Sequence, residues 1–94
     1  MTSQETTPRI LVVEDEPLLC VLLSMAGRGV GWEVTTSAKG LEALALVREE
    51  RPDAAVVDVM IPGIDGMELV RRMRERGWDT PVLFLTARDQ LEDK

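Results

Sequence analysis

Four short apolar runs, each parted from the next by a stretch of helical periodicity, dictate the fold of this chain. Ile10-Leu11-Val12-Val13 carries no polar residue, as a strand covered on both faces requires. Glu33 to Thr36 is shorter and partly polar, which suits a sheet edge. Asp53-Ala54-Ala55-Val56-Val57 runs into Asp58, and Val82-Leu83-Phe84-Leu85 runs into Thr86. Behind Pro17, a residue fitted to the first turn of a helix, Leu18, Leu19, Leu22, Leu23 and Ala26 recur at the spacing of a buried helical stripe. That helix stops at Gly27, Gly29 and Gly31. Leu41, Leu44, Ala45 and Val47 mark a second helix between Gly40 and Arg51-Pro52, and Met67, Leu69, Val70 and Met73 a third ending at Gly77. The order β-α-β-α-β-α-β is that of an α/β fold around a parallel sheet, with right-handed crossovers. Met1 to Pro8 reads as a disordered lead, and Ala87 to Lys94 as a polar, helix-compatible segment.

Composition narrows the chemistry. Ninety-four residues, 45% apolar and 30% charged, suffice for one small core and one domain. The chain contains no histidine, which excludes a Ser/His/Asp triad, a Cys/His pair and a mixed Cys/His zinc site. Cys20 alone cannot close an intrachain disulfide, which suits a reducing, cytoplasmic setting. No apolar run approaches membrane-spanning length, and the polar start lacks a signal-peptide core. A formal charge of −6 opposes non-specific binding to nucleic acid. Chemistry here falls to carboxylates, hydroxyls or a bound metal ion.

The ends of the strands supply those groups. The first strand ends in Glu14-Asp15-Glu16, the third in Asp58 and the fourth in Thr86. In a parallel sheet these ends share one edge, where open α/β sheets bind ligands. Asp15, Asp58 and Glu14 would repel one another there unless protonated or bound to a cation, and an all-oxygen set favours a hard ion such as Mg2+. A carboxylate beside that ion is a competent nucleophile toward a phosphoryl group, with Thr86 placed to hydrogen-bond a phosphoryl oxygen. The plainer alternative is that these acids cap the helices that follow, which Asp15 before Pro17 permits. Capping would not explain convergence from three strands.

In the stretches Arg9 to Pro17 (RILVVEDEP), Pro52 to Gly66 (PDAAVVDVMIPGIDG) and Pro81 to Lys94 (PVLFLTARDQLEDK), the chain resembles the receiver (response-regulator) domain of bacterial two-component systems. The resemblance covers residues 9–94, and the wording is most like the subfamily whose receivers precede a winged-helix DNA-binding domain, the OmpR/PhoB-like group. It implies a flavodoxin-like (CheY-like) sheet of strand order 2-1-3-4-5. It implies further that Asp58 is the phosphoacceptor, that Asp15 binds Mg2+ directly, and that Glu14 does so through water. Met60 would offer its backbone carbonyl to the ion, and Thr86, beside the small Ala87, would be the switch hydroxyl. Pro62 and Gly66 match the turn after the acceptor. The expected partner is a sensor histidine kinase. DNA would be reached only through an output domain not present in this chain, and no membrane is involved.

The family carries a phosphoryl-binding lysine, followed by proline, at the end of a fifth strand. The expectation is therefore a receiver incomplete at its C-terminus, lacking the fifth strand and last helix. Such a chain would leave the fourth strand as an open edge, uncover part of the Leu19/Leu22/Leu23 stripe and self-associate through that edge or as a homodimer; the alternative function is a truncated receiver acting only as an interaction module, without phosphotransfer. Neither Lys39 nor Lys94 substitutes for the missing lysine; both read as solvated charges. A Mg2+-dependent phosphohydrolase with an aspartyl nucleophile is disfavoured, because Met60 stands where a second acid is usual.

Lesser signals have simpler readings. Gly27-Arg28-Gly29-Val30-Gly31 follows a helix rather than a strand, unlike a phosphate loop. Gly31-Trp32-Glu33 and Gly77-Trp78-Asp79 read as helix stops with an aromatic folded back on the last turn. Arg71, Arg72, Arg74 and Arg76 complement the dipole of the third helix. Cys20, Met25, Met67 and Met73 read as fillers in or near the core.

Overall fold

The computed structural model describes residues 7–85 of the chain. Its elements are β1 (Arg9–Val13), α1 (Pro17–Gly29), β2 (Glu33–Ser37), α2 (Gly40–Glu50), β3 (Ala54–Asp58), α3 (Gly66–Glu75) and β4 (Val82–Leu85). The four strands form one sheet of order β2-β1-β3-β4, and every pairing is parallel. The parallel α/β architecture is the one expected from the alternation of apolar runs and helices, and the order is the flavodoxin-like one that the receiver resemblance implies. The Thr86 hydroxyl, Ala87 and the polar segment to Lys94 lie outside the described residues.

Strand alternation divides the core between two faces. Leu11 and Val13 of β1 and Ala55 and Val57 of β3 point to one side, where they are sealed by Ala43 and Val47 of α2 and Leu69 and Met73 of α3. Leu69, Met73, Val13 and Val57 are fully buried. The intervening residues Ile10, Val12, Val34 and Val56 point to the other side, toward Leu23 and Gly27 of α1. Gly27 brings α1 close to the sheet edge: a Cβ there would lie 2.7 Å from Val34 Cγ2 and 3.3 Å from Trp32 Cε3.

The α1 stripe is only partly covered, as expected: Leu19 and Leu22 are exposed and Leu23 is half-buried. The buried residues of α1 are Ser24 and Gly27, whereas Leu18 is 65%, Leu22 53% and Leu19 37% exposed. The helix lies over β1 and β2, so its other flank has no facing partner among the described residues. Met25 and Met67 are likewise exposed rather than core fillers, and only Met73 of the three is buried. Exposed Leu83 lies beside Val56 on that same face.

Helix ends follow local rules. The Asp65 side chain accepts from the Glu68 N–H at 2.8 Å and caps α3. The amides of Trp32 and Trp78 bond back to Gly27 O and Met73 O, both at 3.0 Å, after Gly31 and ahead of β2 in one case and after Gly77 in the other. Both of these glycines have positive φ, 93° and 80°, which turns the chain out of the helix. The Arg76 guanidinium lies 5.8 Å from the Trp78 ring centroid, and Arg74 donates to Trp78 O and Thr80 O. The helical arginines thus finish α3 locally.

Candidate functional site

Register brings the acids together. Val13 pairs with Val57 in the β1–β3 ladder, so the next residues of the two central strands, Glu14 and Asp58, emerge side by side at the C-terminal edge. Glu14, Asp15 and Asp58 each offer a carboxylate oxygen, and those oxygens all lie within 4.8 Å of one another. They differ in exposure: Glu14 is buried, Asp58 half-buried and Asp15 exposed.

Glu14 is the unusual member. It is 3% exposed, and its backbone N–H donates to Ser37 O at 2.9 Å. One carboxylate oxygen, Oε2, accepts from the Glu16 N–H at 3.0 Å. The other, Oε1, is buried with no partner among the described residues. Burial pushes its pKa above the usual carboxylate value, and the charges of Asp58 and Asp15 add to that rise against the opposing Glu16 bond. A buried orphan oxygen beside two further carboxylates fits a site for a hard divalent cation, since cation binding satisfies the oxygen and relieves the repulsion together.

The acids do not serve as helix caps. The N-cap of α1 is Glu16, without a side-chain bond to the helix, and neither Glu14 nor Asp15 accepts from an α1 amide. Capping thus fails as an account of the cluster.

The β3–α3 loop, residues 59–65, folds back on Asp58. The Met60 N–H donates to Asp58 Oδ1 at 3.2 Å, and Met60 itself is 56% exposed at the mouth. Gly66 begins α3 hard against β3: its N–H donates to Val59 O at 2.9 Å, and a Cβ there would overlap Asp58 O. One wall of the cleft is apolar, built from Leu18, Leu19 and Leu22 of α1 with Leu85 of β4. Lys39 is the N-cap residue of α2 and exposed, at the end of the β2 edge. Thr86 lies outside the described residues.

Two features went unread in the sequence. Asp65 caps α3, and the pattern Asp65-Gly66-Met67-Glu68 signals this, with an acid at the cap and a second three residues on. Ser37 is buried beside the cluster, and no sequence pattern marked it.

A four-stranded parallel sheet of this order, with acids converging at its C-terminal edge, is a CheY-like α/β fold. Residues 10–94 match the response regulator receiver domain, and the chain belongs to that family, one of signalling modules rather than turnover enzymes. It is 46% identical over 86 residues to the transcriptional regulatory protein TrcR of Mycobacterium tuberculosis, covering 92% of this chain and 34% of that protein. Among solved structures it is similar to the receiver domain of the Francisella response regulator 1452, with a TM-score of 0.84 and 32% identity over 94% of this chain and 73% of that one. It is equally similar to the receiver domain of the Pseudomonas aeruginosa sensor histidine kinase PA1611, with a TM-score of 0.83 and 32% identity over 94% and 74% of the two chains. That domain was crystallised with a magnesium ion coordinated in its active-site cleft. The chain spans about a third of the curated relative's length.

Proposed function

We propose that this chain is the phosphoacceptor module of a two-component response regulator. Asp58 receives a phosphoryl group from the histidine of a sensor kinase: an Asp58 carboxylate oxygen bonds to phosphorus as the P–N bond breaks, and the departing imidazole nitrogen takes up a proton. Asp15, Asp58 and the Met60 carbonyl would hold Mg2+, with Glu14 acting through water. The ion supplies positive charge for the phosphoryl oxygens when bound. Glu14 holds its carboxylate in place through the Glu16 amide, and Thr86 serves as the switch hydroxyl. The regulated output is transcription, through a DNA-binding domain outside this chain.

The observation that carries this reading is the gathering of three carboxylates within 4.8 Å, one of them buried with an orphan oxygen. Acetyl phosphate with Mg2+ tests it. One acid-stable, base-labile phosphoryl adduct is expected on the chain by mass spectrometry and none on Asp58→Asn. Equal labelling of the variant would overturn the assignment.

A second reading, pairing between copies without phosphotransfer, draws on the exposure of Leu83 on β4 together with Leu18 and Leu22 on α1. Sedimentation decides it: a monomer at all concentrations removes it.

A further inference from the structure

The Met60 N–H bond to Asp58 Oδ1 is one tie between the loop and the acids, and support from outside the cluster adds to it. Two separate contacts lead from them to one short segment, the turn between β2 and α2. On one side, the Glu14 N–H donates to Ser37 O at 2.9 Å, fixing the buried acid against the end of β2. Ser37 is 4% exposed, and its hydroxyl accepts from the Lys39 N–H at 3.3 Å while lying 2.8 Å from Glu42 Oε1 and 3.0 Å from Lys39 O. The turn is therefore tied internally through the Ser37 hydroxyl.

On the other side stands Gly40, buried at the start of α2. Its N–H donates to Pro62 O across 3.5 Å, and a Cβ at this position would overlap both Ile64 O and Ile64 Cγ1. Pro62 and Ile64 belong to the loop that carries Met60. The far end of that loop is equally closed, because a Cβ on Gly66 would overlap Asp58 O. With both ends packed against backbone, a displacement at Gly40 must move the loop, because the overlap involves a carbonyl oxygen and not only a rotatable side chain.

We infer that the β2–α2 turn, Ser37 to Gly40, is a brace that positions both halves of the cation site: Glu14 through Ser37, and the Met60 loop through Gly40. This rests on the reading of the cluster as a Mg2+ site. Ser37 and Gly40 are positioning residues, since neither carries a ligand of the cluster. Outer residues that hold metal ligands commonly change affinity by 10–100-fold when altered.

The test is Mg2+ titration of the 94-residue chain by calorimetry, repeated with Mn2+ by electron paramagnetic resonance, at a temperature where circular dichroism shows each variant folded. Gly40→Ala is expected to bind Mg2+ about tenfold more weakly. Gly27→Ala is the control. It is crowded too, with Val34 Cγ2 at 2.7 Å, but on the α1 side of the sheet, so it should melt earlier and keep the parent affinity when folded. Equal affinity in Gly40→Ala and the parent chain overturns the inference. Should Gly40→Ala not fold, Ser37→Ala decides, because it unties the turn that presents the Ser37 carbonyl to the Glu14 N–H without adding bulk: weaker Mg2+ binding supports the brace and unchanged binding overturns it. A parent chain that binds no Mg2+ overturns the functional reading and the brace with it, an outcome distinct from selective failure of the brace.

Discussion

The Glu16 amide reaches back 3.0 Å to one carboxylate oxygen of Glu14 and leaves the other buried beside Asp58 and Asp15. A carboxylate so held is oriented but not satisfied. The arrangement opposes stability in the absence of a cation and favours cation binding, so the two properties trade against each other.

Removing one charge from the cluster exposes that trade. Asp58→Asn should melt higher than the parent in EDTA, by about 1 kcal/mol or roughly 5 °C for a domain of this size. The same variant should lose most of its Mg2+ affinity. Calorimetric melting with EDTA and with excess Mg2+ checks both: the parent gains stability from the ion, and the variant gains little.

The helix α3 carries an acid held the other way. Arg71 and Arg72 hydrogen-bond Glu68 and lower its pKa to about 2, and Arg71 also pairs with Glu75. A depressed acid stabilises the fold above its ordinary value of 4.5 and loses that contribution as pH falls from there toward 2. Glu68→Gln should therefore melt modestly lower than the parent at pH 7, where the paired carboxylate contributes in full, and converge with it as pH falls from 4.5 toward 2. Added salt should narrow the difference, because the pairs are solvent-accessible.

The cap of the same helix is a separate contribution. Asp65→Ala removes the acceptor for the Glu68 amide and should cost about 1 kcal/mol, read as a drop of roughly 5 °C in melting temperature. Asp65→Asn or Asp65→Ser should recover most of it. The Asp65→Ala chain should keep its acetyl phosphate labelling when folded, since Asp65 is outside the acidic cluster.

Two methionines on α3 should respond oppositely to the same change. Met73→Ala empties a fully buried position and should cost about 2–5 kcal/mol, enough to unfold much of the chain at 37 °C. Met67, 57% exposed, should tolerate alanine within about 0.5 kcal/mol. Urea midpoints of the two variants separate them.

That pair also shows how far the sequence could be read. The convergence of Glu14, Asp15 and Asp58 followed from apolar runs that end in acids, because a parallel sheet has only one C-terminal edge, whereas the strand order came from the resemblance to the receiver family. Which flank of a helix is covered does not follow from its own pattern. Leu18, Leu22, Met25 and Met67 share the spacing of buried residues and are exposed, because burial depends on where the helix lies. Gly27 decides that for α1, through a close contact with Val34 from another element. The burial of Ser37 was equally unreadable, since its partners come from the end of β1 and the first turn of α2.

Asp58 closes β3, the strand that has β1 on one side and β4 on the other. Like β1, this strand has a ladder on both flanks, so its backbone belongs to the least deformable part of the sheet and should be among the last to exchange its amide hydrogens. Charge arriving at that side chain therefore meets a stationary anvil. Whatever the arrival displaces must give way in the surrounding loops, and the direction of any signal is set by which of them yields first.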